Sequence, residues 1–252
     1  MRTLVTTALI VALAVPAGAA GPVSGPPSTT IQPGMLITEA DGSPHCTGGF
    51  IYNGSGRLRG KIYLSLAAHC VEDNVGAPVY DAQGKRLGVT AYSSWPYKAF
   101  DDDFAFVELD RSVWSRVSPG LAGHPDLPRS APNGENISIG DVAQLSGWGL
   151  GADSSTATRQ ERVGPLTTYE PGGTFGADAY AGPGDSGGPV ADKTTGAAVG
   201  SVSNLCAPLP FNYGVNPPGC TVYGPSVANI LRLAAKRGFP VRLRTVAEGT
   251  PH

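Results

Sequence analysis

An all-β fold is what this sequence predicts, and three observations predict it. The chain carries 35 Gly and 23 Pro among 252 residues, and that density of turn formers favours many short strands over long helices. Apolar residues recur in short runs, several of them at the strand period. Only one segment, close to the C-terminus, follows the helical period.

Taken in order, residues 1–20 read as an export leader. Arg2 is followed by an apolar run from Leu4 to Val15 and then by small residues up to Ala19 and Ala20. This is the grammar of a secretory signal, and the run is too short to cross a bilayer. Cleavage is expected after Ala19 or Ala20, giving a secreted, extracellular protein that keeps no membrane attachment. Residues 21–34 are mostly Pro, Gly, Ser and Thr with little to bury, so they read as a flexible N-terminal segment or a short pro-segment. Residues 35–252 then form the main domain, long enough for one large β-domain or two small barrels.

Core patterning begins near Met35. From Lys61 to Leu66 the chain alternates, with Ile62, Leu64 and Leu66 on one face, which puts His69 just past a strand end. Phe104 to Leu109 is apolar enough to be buried on both faces, and Asp103 leads into it. The Pro/Gly-rich stretch from Ser118 to Gly134 marks the crossover between two halves. Val142 to Leu145, Val163 to Thr168, Ala197 to Ser203 and Thr221 to Tyr223 are the strand candidates of the second half. The helix is expected at residues 226–237: Val227, Ile230, Leu231 and Ala234 share a face, Ser226 caps the start, and Gly238 ends it after Lys236 and Arg237.

Net charge is −2 and only 15% of residues are charged, which argues against a nucleic-acid stripe or a polybasic membrane patch. Four cysteines in an exported chain predict two disulfides, with three connectivities open in principle. The spacing favours Cys46 with Cys70 and Cys206 with Cys220. A zinc site built from His45-Cys46 and His69-Cys70 is the competing reading; export and the lack of a close Cys-x-x-Cys pair count against it, so no metal or cofactor is expected. Asn53-Gly54-Ser55 and Asn136-Ile137-Ser138 match the glycosylation acceptor pattern, which has force only in a eukaryotic host. His45, His124 and His252 read as ordinary surface or terminal residues.

The chemistry concentrates in three strings. Gly184-Asp185-Ser186-Gly187-Gly188-Pro189 puts a serine in a glycine-rich turn whose amides can converge on a developing negative charge. A serine hydroxyl needs a neighbouring base, and Leu66-Ala67-Ala68-His69-Cys70 supplies a histidine. Asp101-Asp102-Asp103, at the mouth of the apolar strand, supplies an acid; Asp101 and Asp102 compete for that role, but only Asp103 directly precedes the strand. The same serine string satisfies the G-x-S-x-G pattern of α/β-hydrolases. In that fold the acid and histidine follow the serine, whereas here only the terminal His252 does.

At these three strings the chain resembles the chymotrypsin-like (trypsin-fold) serine proteases, of a bacterial type. The resemblance implies two six-stranded antiparallel β-barrels, at about residues 35–125 and 135–225, with the active site between them and a C-terminal α-helix. It implies a monomeric endopeptidase acting on protein or peptide substrates, with Ser186 as nucleophile, His69 as proton acceptor and donor, and Asp103 orienting the ring. The amides of Gly184 and Ser186 would form the oxyanion hole, and a Cys46–Cys70 bridge would fasten the histidine loop. Ser203, Asn204 and Leu205 resemble the segment that pairs with extended substrate, and Gly147-Trp148-Gly149 resembles a turn of the family. Six residues before the nucleophile, where trypsin carries an aspartate at the pocket floor, this chain has Tyr180, so a preference for Arg or Lys is not implied. Leu66 stands where relatives usually carry Thr or Ser.

One family feature is missing. The family pairs the residue equivalent to Asp185 with a new amino terminus made by zymogen cleavage, but no Ile-Val-Gly-Gly start exists here. A buried lone carboxylate is costly, so Asp185 needs another cation or set of donors, as in bacterial relatives. A catalytically silent binding protein on the same fold is the alternative function.

Overall fold

The structure is a computed structural model of the chain and describes residues 19–23, 28–38, 44–97, 100–132, 136–149, 159–179, 181–204 and 222–251. In chain order its strands are β1 (Ala19–Val23), β2 (Leu36–Thr38), β3 (Pro44–Thr47), β4 (Ile51–Gly54), β5 (Ile62–Leu66), β6 (Pro78–Asp81), β7 (Arg86–Ser93) and β8 (Ala105–Leu109). There follow β9 (Val142–Gly147), β10 (Arg159–Tyr169), β11 (Thr174–Ala177), β12 (Pro189–Asp192), β13 (Ala198–Ser201), β14 (Val222–Pro225) and β15 (Val241–Leu243). One α-helix, α1 (Val227–Lys236), lies between β14 and β15 among the described residues.

The strands make two antiparallel, barrel-like sheets, one nearly closed and the other a half-barrel. The first runs β15-β4-β5-β8-β7-β6-β2-β3 and the second β13-β12-β9-β10-β11-β14, with β1 added to β10. Among the described residues the sheets thus hold eight and seven strands, more than the six each that the resemblance implies. One strand of each sheet, β15 and β1, comes from near a chain end and takes up unpaired N–H and C=O groups of a neighbouring strand. β15 returns from beyond the helix to pair with β4, so the first sheet draws on residues outside 35–125. β1 covers the leader end and the start of the segment expected to be flexible, and it pairs with Arg159, Gln160 and Arg162 of β10. Backbone pairing of this kind asks for no apolar side chains, which is why composition did not reveal it.

The first sheet is buried on both faces. Ile62, Leu64 and Leu66 point inward with Ala105, Val107 and Leu109, while Tyr63, Phe104 and Phe106 point the other way, into a cluster with Ile230, Ala234 and Phe239 from the C-terminal segment. Phe239 sits 5.1 Å from the Tyr63 ring and 5.4 Å from that of Phe106. Each such side chain stabilises by about 1.5–3 kcal/mol on burial, so the aromatic cluster fixes α1 against the strand that Asp103 leads into. The helix starts where expected, with Ser226 Oγ accepting from the amide of Asn229 at 3.1 Å.

Cys46 and Cys70 form a disulfide spanning 24 residues, which stabilises by about 3 kcal/mol in the chain-entropy account. Cys206 and Cys220 lie outside the described residues. Asn53 is buried, donating to Glu248 Oε1 at 3.1 Å and accepting from Arg244 Nη1 at 2.8 Å, so its amide is not free to carry a glycan in the folded protein.

Candidate active site

His69 follows β5 in a tight turn, where the amide of Cys70 bonds the carbonyl of Ala67 at 3.2 Å. Ala67 and Ala68 before it are buried, and the Ser186 loop packs directly on the backbone of this segment. A Cβ on Gly187 would lie 2.5 Å from the Thr47 carbonyl oxygen and 2.9 Å from the Ala67 nitrogen, and its φ is +86°, so only glycine fits there. Thr47 N–H donates to the Ser186 carbonyl at 2.9 Å, and Gly187 N–H to that of Val202 at 2.7 Å. Among the described residues no hydrogen bond joins Ser186 Oγ to His69; the two loops meet through these backbone contacts and through Cys70 Sγ, 3.9 Å from the Ser186 carbonyl oxygen.

Asp103 is the acid that reaches the imidazole. Its Oδ2 lies 2.6 Å from His69 Nδ1, and its Oδ1 accepts from the His69 amide at 2.9 Å. The hydroxyl of Ser203 donates to Oδ2 as well. Burial by itself would raise the carboxyl pKa; the hydrogen bonds and charge of His69, with Ser203, outweigh it and hold the group below its ordinary value. The two preceding aspartates make other contacts. Asp102 is gripped by both terminal nitrogens of Arg237, one at 2.6 Å, and the Asp101 carbonyl accepts from Asn229 Nδ2 at 2.7 Å. Three consecutive aspartates therefore have three different partners, one of them Asn229 on α1 and another Arg237 just past its C-terminus.

The segment expected to pair with substrate through its backbone turns its side chains toward the acid: Asn204 Nδ2 donates to Ser203 Oγ at 2.9 Å. The backbone amides of both bond the Tyr223 carbonyl at 3.0 Å. The Ser203 carbonyl has no partner among the described residues. Tyr180 and Leu205 lie outside the described residues. A cavity of about 250 Å³ opens beside the histidine, lined by His69, Cys70, Glu72, Asn74, Val79 and Thr90. The zinc alternative is answered by the disulfide, which consumes both sulfurs of the only group of metal-ligand type among the described residues, Cys46, His69 and Cys70.

Asp185 is fully buried, and the cation it requires is Arg162. The guanidinium, itself 1% exposed, forks onto both carboxylate oxygens, and the amides of Gly149 and Gly182 complete the set at 2.9 and 2.8 Å. This explains the Gly147-Trp148-Gly149 turn, since a Cβ at Gly147 or Gly149 would fall 2.1 or 2.2 Å from an Asp185 oxygen. Arg162 was not singled out from the sequence. It sits in the charged run Arg159-Gln160-Glu161-Arg162, which reads as solvated; Arg159 and Glu161 do pair with each other, at 3.0 Å, but β10 turns Arg162 inward.

Comparison with known families decides the classification. The family model described as a trypsin-like peptidase domain matches residues 46–200. The chain belongs to this family. No curated protein matches the sequence. The fold of this trypsin-like peptidase is similar to that of Protease A from Thermobifida fusca, at 20% identity over 86% of this chain and 99% of that one, with a TM-score of 0.56. It is likewise similar to the chymotrypsin of Cellulomonas bogoriensis, at 21% identity over 85% and 100% of the two chains, with a TM-score of 0.54.

Proposed function

We propose that this trypsin-like peptidase is a secreted serine endopeptidase in which Ser186, His69 and Asp103 form the catalytic triad. The observation that carries the reading is the acid–histidine pair: an aspartate holding both the ring nitrogen and the backbone amide of one histidine, on a segment packed against the loop of a serine. Ser186 Oγ attacks the scissile carbonyl. His69 takes its proton through Nε2 and returns it to the leaving amine, while Asp103 keeps the other ring nitrogen protonated and stabilises the imidazolium. The missing hydrogen bond between serine and histidine is compatible with this, because such bonds commonly tighten only when substrate arrives.

The amides of Gly184 and Ser186 would hold the oxyanion. Among the described residues neither has a hydrogen-bond partner, which leaves both donors available, and a donor of this kind is worth about 3–4 kcal/mol in the transition state. The unpartnered Ser203 carbonyl is suited to pair with an extended substrate backbone. With Arg162 satisfying Asp185, no cleavage-made amino terminus is needed, so the chain beginning near Gly21 is the active form, exported after removal of residues 1–20. The domain limits follow the same reading, with the peptidase from residue 35 onward.

Two experiments test this. Hydrolysis of an unfolded protein substrate should be present in the secreted protein and absent in Ser186→Ala. A peptide library should show cleavage after uncharged residues, as expected with Tyr180 where trypsin carries an acid; a strong Arg or Lys preference would reject that pocket assignment while leaving the triad standing.

A further inference from the structure

We infer that Thr47 is a positioning residue of the oxyanion loop, acting through the carbonyl of Gly184; the inference rests on the serine endopeptidase reading above. Thr47 ends β3 and follows disulfide-bonded Cys46, so it belongs to the first sheet, whereas the loop carrying Ser186 leads into β12 of the second. Its hydroxyl donates to the Gly184 carbonyl at 2.7 Å and accepts from the amide of Trp148 at 3.2 Å. The residue is fully buried, and a hydroxyl with one donor and one acceptor partner has its proton fixed in direction.

The same residue grips the loop a second time, two positions on, through its backbone amide to the Ser186 carbonyl. Thr47 thus holds the two carbonyls that bracket Asp185. Fixing the Gly184 carbonyl fixes the plane of the peptide between Gly184 and Asp185, whose N–H donates to Gly182 at 3.0 Å. Fixing the Ser186 carbonyl does the same for the peptide to Gly187. The Asp185 side chain is locked by Arg162 in between, so the two amides proposed for the oxyanion hole are carried on a turn held at each carbonyl and at its centre. The backbone grip survives any substitution at position 47 except proline, which lacks the N–H; the hydroxyl grip survives only in serine. Misplacing preorganised donors costs rate more than binding, because their interaction strengthens as charge develops.

The test compares Thr47→Val with Thr47→Ser, with every rate expressed per serine titrated to the endpoint by a fluorophosphonate. Thr47→Val should lower kcat about tenfold to a hundredfold with KM within about twofold. Inhibition by a peptide aldehyde, whose hemiacetal oxygen occupies the oxyanion site, should weaken by the same factor as kcat. Thr47→Ser should stay within about threefold of wild type on all three measures. If Thr47→Val does not accumulate folded, Thr47→Ala carries the same expectation. Wild-type kcat per titrated serine in the hydroxyl-free variant, or equal loss in Thr47→Ser, overturns the inference while leaving the triad intact. A folded wild-type protein that titrates no serine sinks the underlying reading instead.

Discussion

Asp103→Asn is expected to lower kcat about 10⁴-fold while the protein stays folded. The carboxylate accepts from His69 Nδ1 and from the His69 amide. An amide in its place would present an N–H to the ring, forcing the histidine proton onto Nε2, where it blocks acceptance of the serine proton. Substrate binding is untouched by that change, so KM should hold. The substitution also has a pH signature. Because the folded carboxyl is held below its ordinary value, its contribution to stability is fully present above the unfolded pKa of about 3.9 and is lost as pH falls through the lower folded value. The difference in urea midpoint between wild type and Asp103→Asn should therefore shrink as pH is lowered from 7 through 3. A difference that stays constant across that range would show that the pairing with His69 contributes nothing to stability.

Arg162→Met is expected to damage stability and activity together. Removing one partner of a buried ion pair leaves the other charge uncompensated, at a cost of about 3–5 kcal/mol, and Asp185 has no exposure through which water could replace the guanidinium. Its two remaining donors, the amides of Gly149 and Gly182, are neutral. Since Asp185 lies between the two amides proposed for the oxyanion hole, a loop that relaxes to rehydrate it should lose about 10²–10³ in kcat. Arg162→Met/Asp185→Asn removes the orphan charge and should recover most of the urea midpoint. Wild-type stability in the single variant would mean that the fork does not hold the loop.

The parts of the site that were legible in the sequence are those carried by contiguous strings. His69 and Ser186 each sit in a run of small residues, of which Gly187 is required by the close approach of the two loops, and the apolar strand behind Asp103 distinguishes it from Asp101 and Asp102. The parts that were not legible are partners brought in from distant strands. Arg162 lies on β10, where the ionic residues alternating with it disguise a buried side chain as part of a solvated run. The second role of Ser203 was likewise hidden: its resemblance concerns the backbone, and nothing local shows that its hydroxyl reaches Asp103 from a segment 100 residues away. The strand β15 escaped because three residues carry no readable period, and β1 because Ala-Ala-Gly-Pro-Val has no strand alternation to read. The need for a cation at Asp185 followed from charge burial alone; which arginine supplies it depends on register between β9 and β10, which no local pattern encodes.

The most direct test of the account is covalent labelling of the mature secreted protein with a fluorophosphonate, read by intact mass and peptide mapping. One adduct per chain, on the peptide containing Ser186 and absent from Ser186→Ala and His69→Ala, is the predicted result. A correctly folded wild-type chain that takes up no label, or takes it up unchanged when His69 is replaced, would contradict it.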